Sequence, residues 1–153
     1  MNKKKLITKQ GLVDLKEKLA GLEARRPKVI ERVEAARQMG DLRENSEYHA
    51  AREDLVLLDT QINELKEILL NAKVVDKNKG SSSVSLESLV TIKNSQNKKI
   101  NYHVVGEHES DPLRGKISYT SPLGQALMNK KVGDQVVVET PKGESKYEIV
   151  AIK

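Results

Sequence analysis

The first half of the chain carries apolar residues at alternating three- and four-residue spacing, which is the pattern of a coiled-coil seam. The first run is Leu12, Leu15, Leu19, Leu22, Arg26, Val29, Val33 and Ala36, and the second is Tyr48, Ala51, Leu55, Leu58, Ile62, Leu65 and Leu69. The phase is lost over residues 39–46, where Gly40 can end one helix and Asn45 or Ser46 can cap the next. Two long helices joined by a short loop are expected to fold back antiparallel and bring their seams together.

Pro27 lies inside the first run and predicts a kink or a short break, because proline removes one backbone donor and disfavours helix at Arg26. The seam stays in phase across Pro27, which favours one bent helix over two short ones. The predicted helices cover residues 10–39 and 46–71, or roughly 45 and 39 Å at 1.5 Å per residue. A hairpin with one seam cannot wrap a globular core, so we expect it to project from another domain.

The second half has a different period. Residues 77–83 are small and polar, as in a flexible linker. Five short runs rich in β-branched residues follow, separated by turn signals, at residues 88–93, 99–105, 116–119, 135–140 and 146–152. The last two are expected to form a hairpin through residues 141–144, and Ser121 with Pro122 predicts a short helix through residue 128.

These patterns predict an α+β fold with two domains. An antiparallel two-helix coiled-coil hairpin is expected over residues 1–76, with its tip at residues 39–46. After the linker at 77–83, a small antiparallel β-sheet domain with one short helix is expected over residues 84–153. The hairpin loop favours a monomer over a dimer held by the seam.

Composition narrows the function classes. The 153 residues include no Cys, Phe or Trp and four Tyr, which excludes disulfide scaffolds and thiolate chemistry and disfavours a base-stacking platform. No apolar run approaches the roughly 20 residues of a membrane span, and no signal-peptide core follows the basic N-terminus, so a cytoplasmic protein without membrane contact is expected. The net charge of +5 is spread, with 15 basic and 13 acidic residues in 1–75 and 12 and 9 in 76–153. Weak attraction to polyanions and a plain solvated surface are both compatible with this balance.

Candidate chemistry lies in the loop between the helices. The chain has no nucleotide-binding or nucleophile motif, so a self-contained enzyme is not expected. Asp41 and Glu44 lie three residues apart, followed by Glu47, and carboxylates suit Mg²⁺. Two or three of them make an incomplete octahedral site, which would work only where another active site supplied the other ligands. Alternatively, acidic residues at this place cap the helix and complement its dipole.

Three arginines lie near the tip, at Arg37, Arg43 and Arg52. They could hold phosphates by charge-assisted hydrogen bonds. They could equally pair with neighbouring glutamates on a solvated helix face. Spacing leaves both readings open.

Residues 34–53, EAARQMGDLRENSEYHAARE, closely resemble the tip segment of the bacterial transcript-cleavage factors, the Gre family. Leu42 and residues 49–51 resemble its GreA branch. The resemblance covers the whole chain, including the spacing of Thr8 and Gly11 and the segment 115–134. It implies a coiled-coil hairpin followed by an FKBP-like domain that docks on bacterial RNA polymerase.

The resemblance also implies a function and site roles. The C-terminal domain would sit at the rim of the polymerase secondary channel, and the hairpin would enter the channel. Asp41 and Glu44 would help hold the second Mg²⁺ of the polymerase and orient a water, so that the polymerase cleaves the 3′ end of backtracked RNA. Other residues would contact RNA or the channel wall, namely Arg37, Arg43 and Arg52, or position the tip, namely Gly40, Leu42, Asn45 and Tyr48.

In this reading the protein is a transcription elongation factor and not itself an enzyme. It would hold no cofactor alone and would share Mg²⁺ only in the complex, which contains the RNA 3′ end and the transcribed DNA. Three alternatives remain. The protein could be a channel-binding inhibitor, although the intact tip argues against this. It could be a peptidyl-prolyl isomerase, although an aromatic-lined pocket is not evident. It could be a coiled coil that binds nucleic acid non-specifically.

Overall fold

A computed structural model describes residues 4–75 and 82–153 of the chain. Over these residues the elements are β1 (Lys5–Ile7), α1 (Lys9–Arg37), α2 (Ser46–Leu70), β2 (Ala72–Val74), β3 (Leu89–Asn94), β4 (Lys99–Val105), β5 (Lys116–Ser118), α3 (Pro122–Leu127), β6 (Gln135–Thr140) and β7 (Gly143–Ile152). The predicted α+β class is confirmed. The chain forms two compact units. We call Val13–Asn71 the hairpin unit, and the residues up to Leu12 together with Ala72–Lys153 the sheet unit.

In the hairpin unit α1 and α2 pack antiparallel. Ion pairs between the helices join Glu23 to Lys66, Arg26 to Asp59 and Arg32 to Asp54. Later residues of α1 thus pair with earlier residues of α2, as antiparallel helices require. Every residue of the predicted seam except Arg26 is buried or half-buried. Arg26 instead directs its guanidinium to Asp59, with Nε 2.7 Å from Oδ1. The predicted antiparallel hairpin is therefore confirmed.

Pro27 does not interrupt α1, which is one helix from Lys9 to Arg37. The short break predicted at Pro27 is wrong, and the prediction of a single long helix is confirmed. The apolar seam continues on both sides of Pro27, so packing against α2 outweighs the loss of one backbone hydrogen bond.

The sheet unit is built on five strands in the order β5-β4-β3-β7-β6. All five strands were predicted, but the sheet is not wholly antiparallel, because β5 pairs parallel to β4. Two 3₁₀ turns, Glu107–Glu109 and Pro112–Arg114, lie in the connection between those strands. Ser121 caps α3 as predicted, since its Oγ accepts a hydrogen bond from the Gly124 amide at 3.1 Å. The core consists of Val84, Val90, Ile92, Val104, Ile117, Leu127, Val136 and Ile149.

Two short strands were not predicted. β1 and β2 pair parallel, with Lys5 opposite Ala72 and Ile7 opposite Val74. Both belong to the sheet unit, so the compact units do not divide at the predicted boundary of a 1–76 hairpin domain. Of the predicted linker, residues 77–81 lie outside the described residues, whereas Ser83 forms an isolated bridge with Lys131. In the described part of the chain, no helix is both long and apolar enough to cross a membrane.

Candidate metal site at the hairpin tip

The turn between α1 and α2 is held by Asn45 and opened by Gly40. Of the two predicted caps of α2, Asn45 and Ser46, the structure has Asn45, whose Oδ1 accepts a hydrogen bond from the Tyr48 amide at 3.0 Å. Its Nδ2 donates to the Ala36 carbonyl oxygen, 2.6 Å away, and so ties the cap of α2 to the last turns of α1. Gly40 has a φ of +143°, which side chains with a Cβ rarely adopt. Two residues that were predicted to position the tip thus shape the turn.

Asp41 and Glu44 lie in this turn, at the end of the hairpin. Both are exposed. Asp41 Oδ1 accepts a hydrogen bond from the Arg43 backbone amide at 2.9 Å, as in an Asx turn. Neither carboxylate forms an ion pair with any residue between 4 and 75 or between 82 and 153. Most of their acceptor capacity is therefore open to a ligand from outside the chain.

Glu47, the third acidic residue considered for the tip, forms an ion pair within the hairpin. Its Oε1 lies 3.3 Å from Arg32 Nε, and Arg32 also binds Asp54 with 2.7 Å between Nη1 and Oδ2. The hydrogen bond to Asp54 is the main cause that raises the pKa of Arg32. Sequence reasoning missed Arg32, because nothing local shows which α2 carboxylates it faces.

The tip thus offers two carboxylates. Their oxygens are the hard ligands that Mg²⁺ prefers, so the donor type fits that ion. Two carboxylates supply a minority of the six ligands of an octahedral site. The described residues contain no group of three or more acidic or histidine side chains that could hold a metal.

The three predicted arginines differ in the contacts that their guanidinium groups make within the protein. Arg37 Nη1 lies 3.8 Å from Glu34 Oε1, a long contact between two exposed side chains. Arg52 places its guanidinium carbon 5.8 Å from the centre of the Tyr48 ring, within the range of a cation–π interaction. Within the described ranges, the Arg43 side chain has no acidic partner. Arg43 and Arg52 thus keep most of their donors for external anions.

Two large apolar side chains close to the tip carboxylates in sequence are exposed. Met39 is 78% exposed and Leu42 is 40% exposed, although both are large and hydrophobic. Leu42 was predicted to position the tip, but the turn leaves it facing solvent in part. Met39 was not predicted to take part in the site.

Comparison with known proteins matches both halves of the chain to one family. A family model described as "Transcription elongation factor, N-terminal" matches residues 5–74, and one described as "Transcription elongation factor, GreA/GreB, C-term" matches residues 78–153. The GreA proteins of Amoebophilus asiaticus and Nitratiruptor sp. are 43% and 38% identical to the chain, cover 99% of it, and are themselves covered to 99% and 94%. The crystal structure of GreA factor homolog 1 (Gfh1) of Thermus thermophilus is 27% identical and covers 99% of both chains, with a TM-score of 0.47. The chain belongs to the GreA/GreB family of transcription elongation factors.

Proposed function

We propose that this protein binds bacterial RNA polymerase and stimulates the polymerase's own cleavage of the 3′ end of backtracked RNA. The observation that carries the proposal is that the tip carboxylates are exposed and form no ion pair in the described structure. Asp41 and Glu44 are exposed at the end of a narrow two-helix arm and have no ion pair in the described structure, whereas nearby Glu47 is bound by Arg32. A carboxylate that forms no ion pair within the protein keeps its charge available to an external cation.

The proposed mechanism places the hairpin in the secondary channel of the polymerase. Asp41 and Glu44 would there contribute oxygen ligands to a Mg²⁺ that the polymerase holds in part, and would accept a hydrogen bond from the attacking water. When bound, Mg²⁺ would stabilise the charge that develops during phosphodiester hydrolysis. The Asx turn at Asp41 and the Asn45 cap would keep the two carboxylates in place.

The arginines have a secondary role in this proposal. Arg43 and Arg52 would contact the RNA backbone or the channel wall, because neither is neutralised by an acidic neighbour in the parts of the chain described. Arg37 would join them by giving up its long contact with Glu34. The protein would act as a monomer in the cytoplasm, would meet RNA and transcribed DNA only through the polymerase, and would not be an enzyme alone.

The test uses arrested elongation complexes assembled with bacterial RNA polymerase. Asp41→Asn and Glu44→Gln remove the charge and nearly preserve the shape, so each is expected to lower the cleavage rate at least about tenfold without changing the factor concentration that half-saturates the polymerase. Glu64→Gln is the matched control, since Glu64 is exposed in the middle of α2. Undiminished cleavage by both tip variants would contradict the proposal. Slower elongation with no shortened RNA from the wild type would favour the channel-binding inhibitor instead.

A further inference from the structure

The N-terminal segment of the sheet unit is fastened to the segment that follows β4. The Leu6 amide donates to Tyr119 Oη at 3.0 Å, and Lys5 Nζ lies 2.8 Å from Glu107 Oε2. The Val75 amide donates to the Ile7 carbonyl at 3.0 Å, next to the β1–β2 pair. The two chain segments that lead into and out of the hairpin are therefore bound together within the sheet unit.

Glu109 makes the most complete set of bonds in this region. Its Oε1 accepts from the Thr8 hydroxyl, and its Oε2 accepts from the backbone amides of Thr8 at 3.1 Å and Gly106 at 3.0 Å. Three donors thus converge on two carboxylate oxygens. A glutamine side chain can replace this set, with its one oxygen accepting from both amides and its NH₂ group donating to the Thr8 hydroxyl oxygen, whereas alanine removes all three bonds.

Thr8 connects this carboxylate to the start of α1. Its hydroxyl oxygen accepts a hydrogen bond from the Gly11 amide at 3.0 Å, and its carbonyl accepts from the Leu12 amide at 3.0 Å. Thr8 is therefore the N-cap of α1. One hydroxyl group both caps the helix and donates to Glu109.

Two glycines leave room for the carboxylate. A Cβ on Gly11 would lie 2.5 Å from Glu109 Oε1 and 2.7 Å from Oε2. A Cβ on Gly106 would lie 2.6 Å from Oε2 and 2.9 Å from the Leu6 carbonyl oxygen. Neither position has a left-handed φ, so space and not backbone conformation requires glycine. We call Thr8, Gly11, Gly106 and Glu109 the latch.

We propose that Glu109 and Thr8 are positioning residues, which hold the first turn of α1 within the sheet unit and so limit the motion of the helix that leads to the tip carboxylates. This inference rests on the proposed function. The helix is uninterrupted from Lys9 to Arg37, a span of roughly 42 Å at 1.5 Å per residue. A tilt of about 2° in its first turn would move the far end by roughly 1.5 Å over that length. Misplacing a catalytic group by about 1 Å can lower a rate by about a hundredfold.

The chain offers a matched control for Glu109. Glu107 lies two residues away in the same 3₁₀ turn and pairs with Lys5 through two exposed side chains. A solvated ion pair of this kind contributes little to stability. Glu107→Ala therefore makes the same change nearby without touching the latch.

The first measurement is hydrogen exchange of backbone amides in the free protein. Glu109→Ala is expected to speed exchange of the Thr8 and Gly106 amides at least about tenfold, because both amides lose their acceptor. Glu107→Ala and Thr8→Ser should leave these rates within about twofold of wild type, and the Ile149 amide reports that the core is intact. Unchanged protection of Thr8 and Gly106 in Glu109→Ala would overturn the latch itself.

The second measurement separates positioning from docking in arrested elongation complexes. Glu109→Ala and Thr8→Val should lower the maximal cleavage rate at least about tenfold, with an unchanged half-saturating factor concentration, whereas Thr8→Ser keeps the wild-type rate. A change in half-saturation alone, or full activity of both variants, would overturn the positioning role. If the wild type stimulates cleavage and Asp41→Asn lowers it at least about tenfold, the proposed function is upheld whatever Glu109→Ala does. An inactive wild type refutes the proposed function and the positioning role together, and the exchange rates then still decide whether the latch exists.

Discussion

Gly11 and Gly21 lie in the same helix, and the same substitution is expected to have opposite effects at the two positions. Replacing glycine by alanine inside a helix stabilises it by about 0.5–1 kcal/mol, because glycine loses more backbone entropy on folding. A Cβ on Gly21 would meet nothing within 4 Å. Gly21→Ala is therefore expected to stabilise the protein by about 0.5–1 kcal/mol.

At Gly11 the new Cβ would lie 2.5 Å from Glu109 Oε1, closer than real Cβ atoms approach a neighbour. The carboxylate must move away, and the Thr8 and Gly106 amides then lose their acceptor in a buried place. One unsatisfied buried donor costs about 1–3 kcal/mol, which exceeds the gain in helix propensity. The expected net effect of Gly11→Ala is a loss of about 1–3 kcal/mol.

Thermal unfolding followed by far-ultraviolet circular dichroism measures the difference. A change of 1 kcal/mol shifts the Tm of a chain of this size by about 2–4 °C, so Gly21→Ala should raise Tm by about 1–4 °C and Gly11→Ala should lower it by roughly 2–12 °C. Because the protein has two compact units, the tyrosine signal should be recorded beside the helical signal, since three of the four tyrosines lie in the sheet unit.

A Gly11→Ala variant as stable as Gly21→Ala would refute this reasoning. A second check removes the obstacle, since Glu109→Ala leaves room for the new Cβ. Gly11→Ala should then destabilise the Glu109→Ala protein less than it destabilises wild type, by at least about 1 kcal/mol. Additive effects would show that Gly11 and Glu109 do not interact.

Three further predictions concern packing, capping and charge. Ile149→Ala should destabilise the sheet unit by about 2–5 kcal/mol in urea unfolding, because Ile149 is fully buried, whereas Val137→Ala on the exposed side of β6 should change stability by about 0.5 kcal/mol at most; equal losses would contradict the packing. Asn45→Ala removes the cap of α2 and should lower the free energy of unfolding of the hairpin by about 0.5–2 kcal/mol in the same assay. The hydrogen bond from Arg26 lowers the pKa of Asp59, so the contribution of this pair is present above the unfolded aspartate pKa of about 3.9 and is lost as the pH falls through the lowered value. A double-mutant cycle of Arg26→Met and Asp59→Asn should therefore show coupling at pH 7 that disappears near pH 2, and coupling that persists there would contradict the assignment.

The hairpin could be predicted from the sequence because its information is local. Heptad spacing states which face of each helix is apolar, and the residues on that face are the ones the structure buries or half-buries. The exception, Arg26, was already the polar residue in the pattern, and Asp59 on α2 accounts for it. The position of Asp41 and Glu44 at the tip followed from the same spacing, since the loop lies where the phase breaks.

The latch and the short strands could not be predicted, because they depend on contacts between distant parts of the chain. Thr8 and Glu109 are separated by 101 residues. β1 and β2 have three residues each, too few to show an alternating pattern. The ion pair between Glu47 and Arg32 depends on the register of the two helices, which heptad spacing does not determine. The spacing of Thr8 and Gly11 was the only local sign, and it became interpretable once Glu109 was located.

Carboxylates of the hairpin unit and of the sheet unit illustrate opposite requirements. At the tip, Asp41 and Glu44 remain available to an external cation because they are exposed and the protein gives them few partners. In the sheet unit, Glu109 accepts hydrogen bonds from three donors and so holds one backbone conformation at the start of α1. Satisfying the tip carboxylates internally would remove their proposed chemistry, and removing the bonds to Glu109 would loosen the first turn of that helix. The proposed function therefore needs an incomplete site in the turn after α1, and the proposed positioning role needs a complete one at the start of the same helix.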